Sequence, residues 1–332
     1  MSLTRRAFTA ASAVLLGAKR AGAASEFVYK VGCDTPAEHP LTRRLNEAAE
    51  TVQAQTSGRL DLRVFPNSQL GSDTAMLSQV RTGALELFAA PSLTLTTAVP
   101  LSGLPSVGYA FQSYDQVWAA MDGAVGALVR EAIAKAGLAP LETVWDNGFR
   151  QVTSSARPIT GPADFAGMKI RVPVTALLTS LFSGLGASPT SITFNEVYSA
   201  LQTHIIDGQE NPLALIETSK LYEVQKFCTL SNHCWSGFWM VGNRRAMANL
   251  PHNVRPVLER VLNASALAGR ADLAEMDATM RAQLATHGVA FNAPDPAPFQ
   301  DRLKQGGFYK QWQQTYGADA WKALEQYTGK LS

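Results

Sequence analysis

Cysteine is scarce in this sequence, three residues in 332 (Cys33, Cys228 and Cys234), and an odd number cannot all pair with one another. None stands in a CxxC or other metal-ligand spacing, so no metal site is expected. Cys228 and Cys234 flank Ser231-Asn232 and could bridge in an oxidising compartment; free, buried thiols are the preferred reading. Catalytic signatures are missing as well. The five histidines (His39, His204, His233, His252 and His287) form no HExxH, and the chain has no GxSxG, no cysteine motif for nucleophilic attack and no GxxxxGK[ST] phosphate loop. Neither an enzymatic activity nor a cofactor is expected. Long apolar runs are absent too: Ala7 to Gly17 falls far short of the roughly 18 residues that a membrane span requires.

Charge of one sign is also lacking. The whole chain has 29 basic and 27 acidic residues, but positions 1–24 hold four basic residues (Arg5, Arg6, Lys19, Arg20) and no acid. The remainder therefore carries 25 basic against 27 acidic residues, a net of −2. A slightly acidic chain without a basic cluster is a poor partner for nucleic acid or anionic lipid, so an anion must be drawn in by local charge. Residues 1–24 read as an export signal: Thr4-Arg5-Arg6-Ala7-Phe8 is twin-arginine-like, an uncharged run follows, and Ala21-Gly22-Ala23 offers a small-residue cleavage site. Direct membrane insertion is not expected.

What is present is an alternation of strands and helices, over a length sufficient for two lobes, each with its own core. Phe27 to Cys33 alternates as a strand, Leu41, Leu45, Ala48, Ala49 and Val52 mark a helix face, and Leu60, Leu62 and Val64 mark a second strand. Asp73 is placed as the cap of a helix carrying Met76, Leu77 and Val80, before the apolar Leu85 to Ala90. This is the grammar of a parallel α/β layer, in which ligands sit beyond the carboxyl ends of the strands. Ser113 and Gln116 predict a capping box for a helix that runs to Gly137, and Leu138 to Trp145 is predicted as one strand. Met168 to Val172, with Ile170 and Val172 alternating against Arg171, is predicted as another. Asn195 is placed as the cap of a further helix. Lys226 to Leu230 and Phe238 to Val241 are predicted strands returning to the first half, and Pro251 to His287 is predicted as one or two long helices.

The most informative stretch runs from Glu142 to Pro212. It contains ETVWDNGFRQ (Glu142 to Gln151), PADFAGMKIRVP (Pro162 to Pro173) and ITFNEVYSALQTHIIDGQENP (Ile192 to Pro212). Together with NSQLGSD (Asn67 to Asp73) and YEVQKF (Tyr222 to Phe227), this spelling resembles the solute receptors of tripartite ATP-independent periplasmic (TRAP) transporters, the DctP family of organic-acid binders. The resemblance implies an α/β, two-lobed periplasmic binding protein fold (Venus flytrap) with a long helix spanning both lobes. The expected division is 25–147 with 237–276 for lobe I and 148–236 with 277–332 for lobe II. It also implies periplasmic localisation, a small-molecule carboxylate ligand, and membrane permease partners, small and large.

Arg171 is the first candidate for the ligand carboxylate, because a guanidinium at a strand end presents two parallel N–H donors that match a carboxylate. The alternative is a salt bridge to an acid such as Asp164 or Glu142. The resemblance adds Arg150 at the mouth of the site, Asn211 as an amide on the same carboxylate, and Phe194 against the ligand's carbon chain. Glu38 and His39 lie in the loop Asp34 to Pro40, facing the expected cleft; His39 either donates to the ligand or caps the helix near Leu41. Trp235 is a candidate cleft wall. Binding would favour a closed form that is handed to a permease, with a membrane kinase as the alternative recipient and an enzyme on a binding-protein fold as a lesser one. The ligand is left as a C4-dicarboxylate, with its second group on Arg150 or His39, or a hydroxylated sugar acid. The WDNGF spelling resembles the C4-dicarboxylate branch, from which Arg150 departs, since lysine is frequent there.

Overall fold

A computed structural model describes residues 25–331; the export-signal reading of residues 1–24 lies outside the described residues. The chain builds two six-stranded sheets. In the first, β1 (Phe27–Gly32) lies parallel between β2 (Leu60–Phe65) and β3 (Leu87–Pro91). The helices α1 (Pro40–Gln55) and α2 (Asp73–Thr82) supply the crossovers, as parallel pairing requires, and the short α3 (Ser92–Leu95) follows β3. The predicted strand Leu138 to Trp145 is divided. Its ends become β4 (Leu138–Pro140) and β5 (Trp145–Phe149), which both pair antiparallel with a later strand. The second sheet has the order β12-β10-β6-β9-β7-β8, comprising β6 (Gln151–Ser154), β7 (Lys169–Val172), β8 (Ser188–Ser191), β9 (Gly208–Asn211), β10 (Phe227–Thr229) and β12 (Ala290–Asn292). The long strand β11 (Trp235–Asn243) returns to the first sheet and pairs antiparallel with β3, β4 and β5. Thus Phe238 to Val241 goes back to the first half as expected. Lys226 to Leu230 does not, because β10 pairs with β6 and β12.

Several boundaries differ for local reasons. The Ser113 helix is two: Ser113 caps α4 (Tyr114–Met121), accepting from Gln116 N, and the chain restarts after Gly123 as α5 (Ala124–Lys135). Asn195 caps nothing; it lies within a 3-10 turn, Phe194–Glu196, that precedes a six-residue helix, Val197–Gln202. Residues Arg255–Thr286 form one helix of 32 residues, here α6. It lies against α1 and β5 at one end and β12 at the other, so it runs alongside both sheets. Bidentate pairing of Arg44 with Asp272 at 2.7 Å ties it to α1, and Arg270 reaches Asp122 at 2.8 Å while its guanidinium lies 4.0 Å over Trp118.

The core departs from a simple two-lobe division. One apolar cluster holds the α1 side of the first sheet, with Leu41, Leu45 and Trp145, and another, with Val197, Leu201 and Met280, belongs to the second. A third joins the halves, running from Met76 and Val129 through Leu181 and Phe182 to Trp312 and Trp321. The terminal helices Ala297–Gln305, Phe308–Tyr316 and Ala318–Thr328 make this join, packing on Ala176–Leu185 of the second half and on α4 and α5 of the first. Cys33, Cys228 and Cys234 are free and buried.

Candidate functional site

Between the sheets lies a narrow cleft lined from both sides. The first sheet contributes Asp34 from the turn after β1, Asp73 from the start of α2, Ser92 to Thr94 after β3, Asn147 of β5, and Ser236 of β11. The second contributes Arg171 of β7, Phe194, and Asn211 of β9. Asp34, Ser92 and Asn211 stand at or just past the carboxyl ends of their strands, where open α/β sheets place ligands.

Arg171 is 2% exposed. Its Nε donates to Ile192 O at 2.8 Å, which holds the side chain in one direction and leaves both terminal nitrogens without a hydrogen bond among the described residues. Among the described residues no carboxylate forms a salt bridge with it, and Asp164 turns instead to Thr160 and Gly161. Burial, with a further push from Arg150, lowers its pKa to about 10. A buried cation in this condition is short of negative charge. The ring of Phe194 lies 5.8 Å from the guanidinium, so a ligand held by the fork lies beside an aromatic wall.

Arg150 is the single residue between β5 and β6, where the chain crosses from the first sheet to the second. It is neither solvated nor unpaired. Its Nε and Nη2 reach Glu210 at 2.5 and 2.8 Å, Nη2 also donates to Asn211 Oδ1 at 3.0 Å, and Nη1 donates to Ser236 Oγ at 3.2 Å. The backbone N–H of Arg150 donates to Cys234 O, joining the two segments that cross between the sheets. Glu210 is fully buried; desolvation would raise it, but Arg150 and the hydrogen bond with His233, at 3.0 Å, hold it below the usual carboxylate range. Asn211 is fixed by Gln209 as well, its Nδ2 donating at 2.6 Å, which leaves the amide one N–H for the cleft.

The remaining candidates sit elsewhere. His39 does not line the cleft; its Nδ1 accepts from Leu41 N at 3.2 Å as the cap of α1, and its ring packs edge-on to Phe238. Burial drives it down to about 3, so it is neutral. Glu38 is exposed and lines a wider outer recess with Phe194, Tyr198 and Lys220. Trp235 is buried behind the wall, its indole N–H donating to Asp146 at 2.8 Å; its neighbours Ser236 and Gly237 are the lining residues.

Sequence reasoning overlooked Asp34, Asp73, Asn147 and Glu210. Asp73, expected as a helix cap, does not take that role: Ser72 does, accepting from Ala75 N, and the Asp73 carboxyl lines the cleft. Asp34 opens the loop Asp34 to Pro40, ahead of Glu38 and His39.

A two-lobed α/β chain that, among its described residues, buries an arginine without a salt bridge between its sheets has the makings of a receptor for an anion. The family described as bacterial extracellular solute-binding protein, family 7 (DctP) matches residues 31–314. Relatives include the C4-dicarboxylate-binding periplasmic protein DctP of Rhodobacter capsulatus (33% identical, 78% of this chain, 79% of the relative) and the 2,3-diketo-L-gulonate-binding periplasmic protein YiaO of Escherichia coli (33%, 73% of each). An uncharacterized protein, y4mM, of Sinorhizobium fredii is 36% identical over 77% of this chain, which spans about half of that relative's length (48%). Among solved structures, a TRAP periplasmic solute-binding protein of Sulfurospirillum deleyianum with bound succinate superposes with a TM-score of 0.86 (29% identity, 91% of this chain, 99% of that one). A TRAP solute-binding protein of Roseobacter denitrificans with bound L-galactonate gives 0.85 (29%, 92% and 99%). The chain belongs to the DctP family of TRAP solute-binding proteins. Its family and structural neighbours are substrate-binding proteins of transporters, not enzymes, and the relatives are periplasmic. No helix among the described residues is long and apolar enough to cross a membrane.

Proposed function

We propose that this chain captures a small organic acid in the cleft, with the carboxylate on the free fork of Arg171, the amide of Asn211 beside it and Phe194 against the carbon chain. One observation carries the reading: a buried guanidinium, held by Ile192 O and left without a carboxylate partner, faces a cleft between two sheets. Relatives that bind C4-dicarboxylates and sugar acids share the carboxylate group that such a fork recognises. Arg150, paired with Glu210, serves as the anchor of the crossing and lends at most an Nη1 hydrogen to the ligand.

The anion draws the lobes, 25–147 with 237–276 and 148–236 with 277–332, into the closed form by binding that form better. The loaded receptor then docks on the small and large permease subunits. Residues 1–24 direct export and are removed. The test is thermal denaturation across a panel of organic acids for the parent and for Arg171→Ala. The parent is stabilised by at least one acid, and the variant shows no shift with it. An undiminished shift in Arg171→Ala refutes the assignment.

A further inference from the structure

A line of buried polar side chains runs through the second sheet, and only its last member lines the cleft. It begins at Gln225, in the stretch YEVQKF, passes through Thr153 of β6 and Gln209 of β9, and ends at Asn211. Thr153 and Gln209 stand directly opposite each other in the β6–β9 ladder. Burying four polar side chains in one sheet is costly unless donors and acceptors match along the whole line. Here they match in one direction.

That direction is set at both ends. Gln225 Nε2 donates to Val224 O at 2.8 Å, and a carbonyl can only accept, so Gln225 Oε1 is the atom turned to Thr153. The Thr153 hydroxyl gives its single hydrogen to that oxygen at 2.8 Å, and its own oxygen accepts from Gln209 Nε2 at 2.9 Å. Gln209 Oε1 is thereby presented to Asn211, whose Nδ2 donates to it at 2.6 Å. At the far end a guanidinium, which can only donate, reaches Asn211 Oδ1 from Arg150 at 3.0 Å. Turning the Asn211 amide over would oppose two donors at Arg150. It would also turn Gln209 and Gln225 over, setting the Gln225 oxygen against that of Val224.

We infer that Thr153 and Gln225 are positioning residues for ligand capture: through Gln209 they hold the Asn211 amide in the one orientation that offers the cleft an N–H donor. The inference rests on Asn211 meeting the carboxylate, as proposed above. An amide locked in advance loses no rotational freedom when the acid arrives, whereas cutting the relay leaves Arg150 alone to orient it.

Calorimetric titration of the purified protein at neutral pH tests this, with succinate, butyrate, glycerate and L-galactonate as probes. The acid that binds the parent most tightly is then titrated into the variants. Thr153→Val, which keeps the shape and removes the hydroxyl, is expected to weaken it about 10-fold, as is Gln225→Met, while Thr153→Ser stays within about 2-fold of the parent. Asn211→Ala is expected to weaken it about 10-fold too. Adding Thr153→Val to Asn211→Ala is expected to change affinity by less than about 2-fold, since the relay acts only through that amide. Equal weakening by Thr153→Val with and without Asn211 overturns the inference, as does Thr153→Ser binding as weakly as Thr153→Val. Unaltered affinity in both relay variants overturns it as well; in all three cases the carboxylate reading stands. Asn211→Ala binding as tightly as the parent, or failure of all four acids, overturns that reading and the relay with it. Should the relay variants not fold, hydrogen exchange in the parent decides. Slow exchange of the Gln209 and Asn211 side-chain amides without acid supports the relay, and fast exchange overturns it.

Discussion

At the scale of single residues, the two arginines of the cleft show how one side-chain type takes two roles from its surroundings. Arg171 keeps its fork free because, among the described residues, its hydrogen-bond partner is the Ile192 carbonyl, which takes Nε alone. Arg171→Lys keeps the charge and loses the planar fork, and calorimetry is expected to show affinity reduced about 10- to 100-fold, the worth of one charge-assisted hydrogen bond of about 1.5–3 kcal/mol. Arg150 and Glu210 form a buried pair that holds the crossing between the sheets. Glu210→Gln leaves Arg150 charged without its partner, and urea unfolding is expected to show a loss of about 3–5 kcal/mol. The motif GFRQ makes Arg150 visible along the chain. Its partner lies sixty residues further on inside another motif, where nothing local says that the two meet.

At the scale of elements, helix caps decided which polar side chains reach the cleft. His39 closes α1 and Ser72 closes α2, so the histidine is withdrawn and Asp73 is released. His39 is held neutral by burial, from an ordinary pKa of 6.5 down to about 3. Between those values the unfolded chain binds a proton there and the folded chain does not. The stability it contributes is therefore complete above pH 6.5 and is lost as the pH falls toward 3. His39→Asn retains a capping acceptor without that titration, so its unfolding free energy is expected to decline less than that of the parent in urea series run from pH 7 to 4. In β5, Gly148 adopts φ +122°, and a Cβ there would meet Pro212 Cβ at 3.2 Å. Gly148→Ala is expected to lower stability by about 1–3 kcal/mol, read from the denaturant midpoint, since the residue beside the crossing would be strained. The strand carrying Arg171 was legible because β-branched neighbours alternate around it. The caps were not, because Ser72 and Asp73 are both good capping residues and only the backbone path chooses between them.

At the scale of the whole molecule, the chain passes between the sheets at Arg150, at 230–234 and alongside α6, while the terminal helices share one apolar cluster with both halves. A saturating ligand is expected to reduce the radius of gyration in small-angle scattering for the parent and to leave Arg171→Ala unchanged. At 100 times its dissociation constant the ligand adds about 2.7 kcal/mol to unfolding, which the same samples show as a higher melting temperature. The division into two lobes was legible in the alternation of strands and helices. The shared core was not, because it is made by residues 299–324 folding back on segments more than a hundred positions earlier.

The sequence by itself determined the α/β alternation, the strand that carries Arg171 and the family, since these are carried by short patterns whose geometry is local. Only the tertiary structure decided that Arg150 is neutralised, that His39 is a cap, and that Asp34, Asp73 and Asn147 share one wall. Those outcomes depend on distances between segments far apart in the chain, which parallel pairing and crossovers set and no local pattern records.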